Sequence, residues 1–236
     1  MNKRDKAIIQ DLYRFRVLSR DQIISLHFAS LKKPVSTCNL VLKRLQDRSY
    51  IKAYKRFQPF VYAPIDSKIK ESSQKILHFL SIADILIEMK EYDEPGHVLV
   101  EPKFTEKGAI EPDLFCIFKR TPFFVEVQRN IYSDKVMKEK IGRYEAFYHS
   151  EIWKEFEWQK ANKKVFPIIL FITDTRYSIE SDILRIIQVP NIKDLIHLFD
   201  KPSPNQQTND NQQTNDNKQK VSDKIKIQIN NKTSHM

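Results

Sequence analysis
The stretch Glu111-Pro112-Asp113-Leu114-Phe115-Cys116-Ile117-Phe118, then Lys119-Arg120-Thr121-Pro122, then Phe123-Phe124-Val125-Glu126-Val127-Gln128, decides how the rest of the chain is read. Two apolar runs separated by a short turn segment read as a β-hairpin. Each run carries an acid where a core strand disfavours one. Asp113 opens the first strand, and Glu126 interrupts the second between Val125 and Val127. Side chains alternate along a strand, so Phe124, Glu126 and Gln128 share one face while Val125 and Val127 point the other way. A carboxylate among such neighbours is costly unless it is ion-paired, hydrogen-bonded or bound to a metal.

The spacing Pro-Asp, apolar hairpin, Glu-x-polar resembles the outline of the PD-(D/E)xK nuclease core. In that chemistry two carboxylates hold a divalent cation, which activates water and stabilises charge on the scissile phosphate. The resemblance implies a catalytic set of Asp113, Glu126, Gln128 and Lys140, with Asp113 and Glu126 as ligands of Mg2+. Gln128 would orient the water. It replaces the usual lysine and cannot supply positive charge, which would come from Lys140 on the following helix. Glu88, on the helix before the sheet, is a further candidate acid. An edge hairpin with a solvated Asp113, and a Glu126 salt-bridged to a neighbouring lysine, accounts for the same pattern without any chemistry.

Composition narrows the classes. The 236 residues suffice for one large domain or two small ones, and 41% hydrophobic residues are compatible with a packed core. No run of about 18 apolar residues occurs, so neither a transmembrane helix nor a membrane partner is expected. Nor is a secretory signal, because no apolar segment follows the polar start Met1-Asn2-Lys3-Arg4-Asp5. Cys38 and Cys116 both lie in apolar patterns and read as reduced core residues of a cytoplasmic protein. Three glycines exclude a glycine-rich phosphate loop, and no Cys or His pair has zinc-ligand spacing.

Charge is segregated. Residues 1–65 hold fourteen Lys and Arg against four Asp, a balance equal to the whole chain's formal net charge of +10. That first quarter is the footprint of a polyanion-binding surface. Its pattern gives a helix over residues 5–16 with Asp5 as N-cap and a shorter helix capped by Ser19. Lys32-Lys33-Pro34 breaks that second helix, and a third spans about Ser36 to Arg48. Two alternating strands, Tyr50–Phe57 and Phe60–Pro64, follow around a Gln58-Pro59 turn. Three helices and a basic hairpin give the order of a winged helix-turn-helix, whose third helix enters the major groove while the wing follows phosphate or the minor groove. The candidate DNA contacts are Thr37, Asn39, Lys43 and Arg44 on the third helix, with Lys55 and Arg56 on the wing. A small helical domain with a solvated charged face is the plainer reading of the same residues.

Beyond Asp66 the pattern changes. Gln74–Tyr92 reads as a buried helix, on which His78 reads as a packed or exposed histidine rather than a ligand. Val98–Glu101 is a strand, Thr105–Ala109 a loop, and the acidic hairpin follows. A long helix is expected over 134–160, with Gly142 or His149-Ser150 as interruptions; it carries Lys140 and Tyr144 four apart on one face. Val165–Thr173 reads as a strand buried on both sides, and Ile179–Ile187 as a helix. The expected fold is α/β (α+β overall). A winged helix-turn-helix over 1–66 precedes a mixed α/β PD-(D/E)xK-like domain over 70–200 and a low-complexity, disordered tail over 201–236. In the tail the hexapeptide Gln-Gln-Thr-Asn-Asp-Asn occurs twice, and Lys224–Ile229 alternates like a strand.

Taken together, residues 5–199 resemble the replication-relaxation family, through Pro112-Asp113, the run Phe123 to Arg129, and the downstream Lys140, Arg143 and Tyr144. The family often has Asp where this chain has Gln128. The resemblance implies a DNA-binding protein of plasmid or phage replication and DNA relaxation, whose partners are double-stranded DNA and replication proteins. On this reading the nuclease-like domain does not cleave. Two alternatives stand beside it: a Mg2+-dependent endonuclease or nickase, and a winged-helix transcriptional regulator acting as a homodimer.

Overall fold
The computed structural model of the chain describes residues 1–104 and 110–200; the Thr105–Ala109 loop, the repeats and the Lys224–Ile229 pattern lie outside them. The described residues form a mixed α+β structure with six α-helices and two sheets. Residues 1–192 make one compact unit, and a second begins at Lys193.

The first helix, α1 (Lys3–Phe15), buries Ile8, Leu12 and Phe15 at helical spacing. Its N-cap is Asn2 rather than Asp5: the Asn2 side chain accepts the Asp5 N–H, which leaves the Asp5 carboxylate free to face inward. Helix α2 (Arg20–His27) begins with a full capping box between Ser19 and Gln22. Helix α3 runs Pro34–Asp47, so Pro34 does not end α2 but occupies the first turn of α3, where a missing N–H costs nothing. A three-stranded antiparallel sheet closes this part in the order β1-β3-β2, from β1 (Leu18–Ser19), β2 (Ile51–Tyr54) and β3 (Val61–Pro64).

Helix α4 (Lys75–Lys90) is apolar around most of its surface because it is covered on two sides. It packs on α1, α2 and β1, and it also packs on the larger sheet, so the segments 1–66 and 70–192 share one central helix. Gln22 fixes that arrangement by donating to the Leu80 carbonyl (2.8 Å) and to Asp84 Oδ1 (2.6 Å).

The larger sheet has the order β4-β5-β6-β7-β8, built from β4 (Gly96–Val100), β5 (Leu114–Phe118), β6 (Thr121–Val127), β7 (Ile168–Ile172) and β8 (Ile186–Val189). The first three strands are antiparallel; β6, β7 and β8 run parallel. Lys119 and Arg120, both at positive φ, form the two-residue turn of the β5–β6 hairpin, as the right-handed strand twist demands.

The helix expected over 134–160 ends at its expected His149-Ser150 interruption, as α5 (Asp134–His149), because Ser150 Oγ bonds the Phe147 carbonyl and Glu151 turns left-handed; a short 3-10 turn, Ile152–Glu155, follows. Gly142 does not interrupt α5. The helix expected over Ile179–Ile187 is absent: 174–185 is irregular and Ile186–Val189 forms β8. The β-branched Ile186, Ile187 and Val189 gain more from the exposed edge of β7 than a marginal helix would return. The connection instead sends Tyr177 and Leu184 into the core under α5, beside Phe115, Phe124 and Phe171. Helix α6 (Ile192–Asp200) follows.

Candidate functional site
The β5–β6 hairpin sets the site. Leu114 pairs with Val125, so Asp113 stands one step beyond the last rung, opposite Glu126. Phe124, Glu126 and Gln128 do share one face, the one that α5 covers. Glu126 is 2% exposed. Lys140 Nζ donates to its Oε2 at 2.5 Å, and the Tyr144 hydroxyl donates to its Oε1 at 2.6 Å. Lys140 and Tyr144 lie four apart on α5, so one helix face delivers both donors to one carboxylate. Burial raises the Glu126 pKa while the Lys140 charge pulls it back, and burial beside Glu126 raises the Tyr144 hydroxyl well above its usual value.

Asp113 Oδ2 accepts the Val127 N–H at 2.7 Å. Neighbouring N–H groups on a strand point to opposite sides, and Gln128 N–H bonds the Ile172 carbonyl of β7. Val127 N–H therefore faces the β5 side, where the ladder has ended, and the Asp113 carboxylate takes the place of a missing rung. Its other oxygen, Oδ1, lies 3.0 Å from Nε2 of His78. That contact raises the His78 pKa above the usual value, chiefly through the hydrogen bond, against the opposing effects of burial and the Arg129 charge.

His78, expected as a packed or exposed histidine, is thus a member of the site through Asp113. A signal existed: His78 heads the stripe of Ile82, Ile85 and Met89 on α4, all buried, and a polar side chain in line with such a stripe faces inward toward a partner. Glu88, by contrast, is no part of the site. It lies ten residues, or about 15 Å, along α4 from His78, and its Oε1 accepts the Ile192 N–H at 3.0 Å. Gln128 reaches the site's edge, but its amide N–H meets Met137 Sδ at 3.2 Å, while its Oε1 is buried without a hydrogen-bond partner.

The residues that converge are Asp113, Glu126 and Lys140, joined by His78 and Tyr144. They do not fit a divalent-cation centre as arranged. Each of the four carboxylate oxygens already has a partner, Lys140 neutralises Glu126, and among the described residues no group of three His, Cys, Asp or Glu forms a metal cage. The arrangement can hold a proton between His78 and Asp113 at a partly exposed position, and it can fix Lys140 at the rim of a buried acid.

The basic candidates separate in a similar way. Asn39, Lys43, Lys55 and Arg56 are exposed. Thr37 is half-buried, and its hydroxyl bonds the Lys33 carbonyl within the first turn of α3. Arg44 is turned inward: its guanidinium donates to the buried Asp5 at 2.7 Å and ties α3 to α1. Leu40, 71% exposed, lies between Asn39 and Lys43 on the outer face of α3 and was not singled out by charge. No family model, curated protein or solved structure matches this chain.

Proposed function
We propose that this protein binds double-stranded DNA through α3 and the β2–β3 hairpin, acting in plasmid or phage replication or DNA relaxation, with a nuclease-like second part that does not cleave. The observation that carries the reading is where the charge sits. Of the fourteen basic residues in 1–65, all but Arg20, Arg44 and Lys52 are exposed, on three helices followed by a hairpin. This is the order of a winged helix-turn-helix, and Asn39 and Lys43 occupy the outer face of its third helix. Lys55 and Arg56 stand at the hairpin tip, where Glu71 accepts the Arg56 N–H and fixes the backbone while the side chain stays exposed. Contacts of this kind to phosphate make affinity fall steeply with salt.

The convergence of Asp113, Glu126 and Lys140 supports a second reading, a Mg2+-dependent endonuclease, in which Lys140 supplies the charge that Gln128 lacks. It stands second because those carboxylates are already hydrogen-bonded and neutralised. Supercoiled plasmid incubated with the protein in Mg2+, Mn2+ or EDTA separates the two. Retarded, intact plasmid in all three is the expected result. Metal-dependent nicking that disappears in an Asp113→Ala/Glu126→Ala variant would replace the first reading with the second.

A further inference from the structure
We propose that a cleft where α1, the segment after β3 and the start of α4 meet is a binding site for a nucleoside phosphate. The cleft encloses about 420 Å3, within the size range of small-molecule sites. Its walls combine the two chemistries such a ligand needs. Tyr13, half-exposed, supplies aromatic surface, with the small edge left by the buried Phe79, while Lys68 and Lys75 supply positive charge. Both lysines are exposed, and neither has a carboxylate within ion-pair distance among the described residues. Asp66, which accepts the Tyr13 hydroxyl at 3.0 Å, fixes that ring at the wall. A base stacks favourably against an aromatic ring, and a phosphate against lysines gains charge-assisted hydrogen bonds.

Arg16, which ends α1, and Glu101 both line the cleft at positive φ, 69° and 47°, so glycine at either position keeps the backbone. Their side chains meet at 3.7 Å with 53% and 38% exposure, which leaves both open to solvent in the cleft. The Arg16 guanidinium suits a phosphate, and the Glu101 and Asp66 carboxylates suit the exocyclic amine of a base.

Isothermal titration of the full chain with deoxyadenosine monophosphate, orthophosphate and a single-stranded deoxyadenosine decamer tests this. The monophosphate should bind, orthophosphate should bind at least tenfold more weakly, and Arg16→Gly and Lys75→Glu should each weaken the nucleotide at least tenfold. Arg16→Gly should leave Tm unchanged or higher; Lys75→Glu, at an exposed position, keeps the test decisive if it does not. Binding of the decamer alone, lost in both variants, assigns the site to a nucleotide within a strand and supports the proposal. No binding of either nucleotide form, equal binding in wild type and variants, or orthophosphate binding as tightly as the monophosphate overturns it. The inference is independent of the duplex reading. Lys43→Ala should reduce retention of duplex while leaving monophosphate binding intact.

Discussion

Asp5 in the three-helix region and Glu126 in the sheet region are both 2% exposed, and each is met by a basic side chain. The surroundings differ. Asp5 faces Arg44, whose side chain is 39% exposed, so solvent reaches the outer end of that pair. Glu126 lies between the sheet and α5, and its lysine is 20% exposed. Tyr144, itself buried, occupies its other oxygen. The first pair is a strap between two helices at the edge of a surface whose other cations point outward. The second is a closed hydrogen-bonded unit on which α5 is seated. A basic residue in this chain therefore means different things according to whether an acid lies beneath it.

Lys140→Met breaks the comparison with the largest effect. It leaves a buried carboxylate without its cation, and such losses run to about 3–5 kcal/mol. Glu126→Gln in the same background should recover part of that, because the neutral amide needs no counter-charge; denaturant unfolding of the two variants measures the difference. A loss below about 1 kcal/mol for Lys140→Met would show that Glu126 is reached by water and that the closed unit is wrongly drawn. Arg44→Met comes next, at about 1–3 kcal/mol, since Asp5 keeps partial access to solvent through the vacated position. Lys43→Ala, one residue earlier but 74% exposed with only an i,i+4 contact to Asp47, should change stability by less than about 0.5 kcal/mol. On the DNA reading it should nevertheless lower duplex affinity and flatten its salt dependence.

How much of this was legible follows from the physics of each element. The hairpin, its facing and the Lys140–Tyr144 pairing could be read because strand alternation and the i,i+4 helix repeat are local rules. Ser19 as a cap was legible for the same reason. Arg44 was not, since nothing local distinguishes it from Lys43; the Asp5 that captures it lies 39 residues away. His78 needed Asp113, 35 residues on, before its place in an apolar stripe meant anything. Residues 179–187 have a helix-like spacing of apolar side chains that the open edge of β7 overrides, a tertiary effect beyond any window of sequence.

The smallest effect sharpens the contrast, because the sheet region's second contact is made by a histidine, the side chain whose charge changes near neutrality. The folded-state pKa of His78 is raised above its ordinary 6.5 by the Asp113 hydrogen bond. Between the unfolded value and the raised one, the folded chain holds more of this proton than the unfolded chain. The His78–Asp113 contribution is therefore full below about pH 6.5 and is lost as pH rises through the folded pKa. Its size is modest, as the His78 side chain is 31% exposed and solvent screens the pair. Glu126, also raised, acts in the same direction from the carboxylate range upward, so the wild-type curve alone does not isolate the histidine. Subtracting the unfolding free energies of His78→Gln from those of the wild type at matched pH does. That difference should shrink with rising pH from about 6.5 upward. A difference constant from pH 5.5 to 9 would mean that the Asp113 contact does not favour the protonated ring.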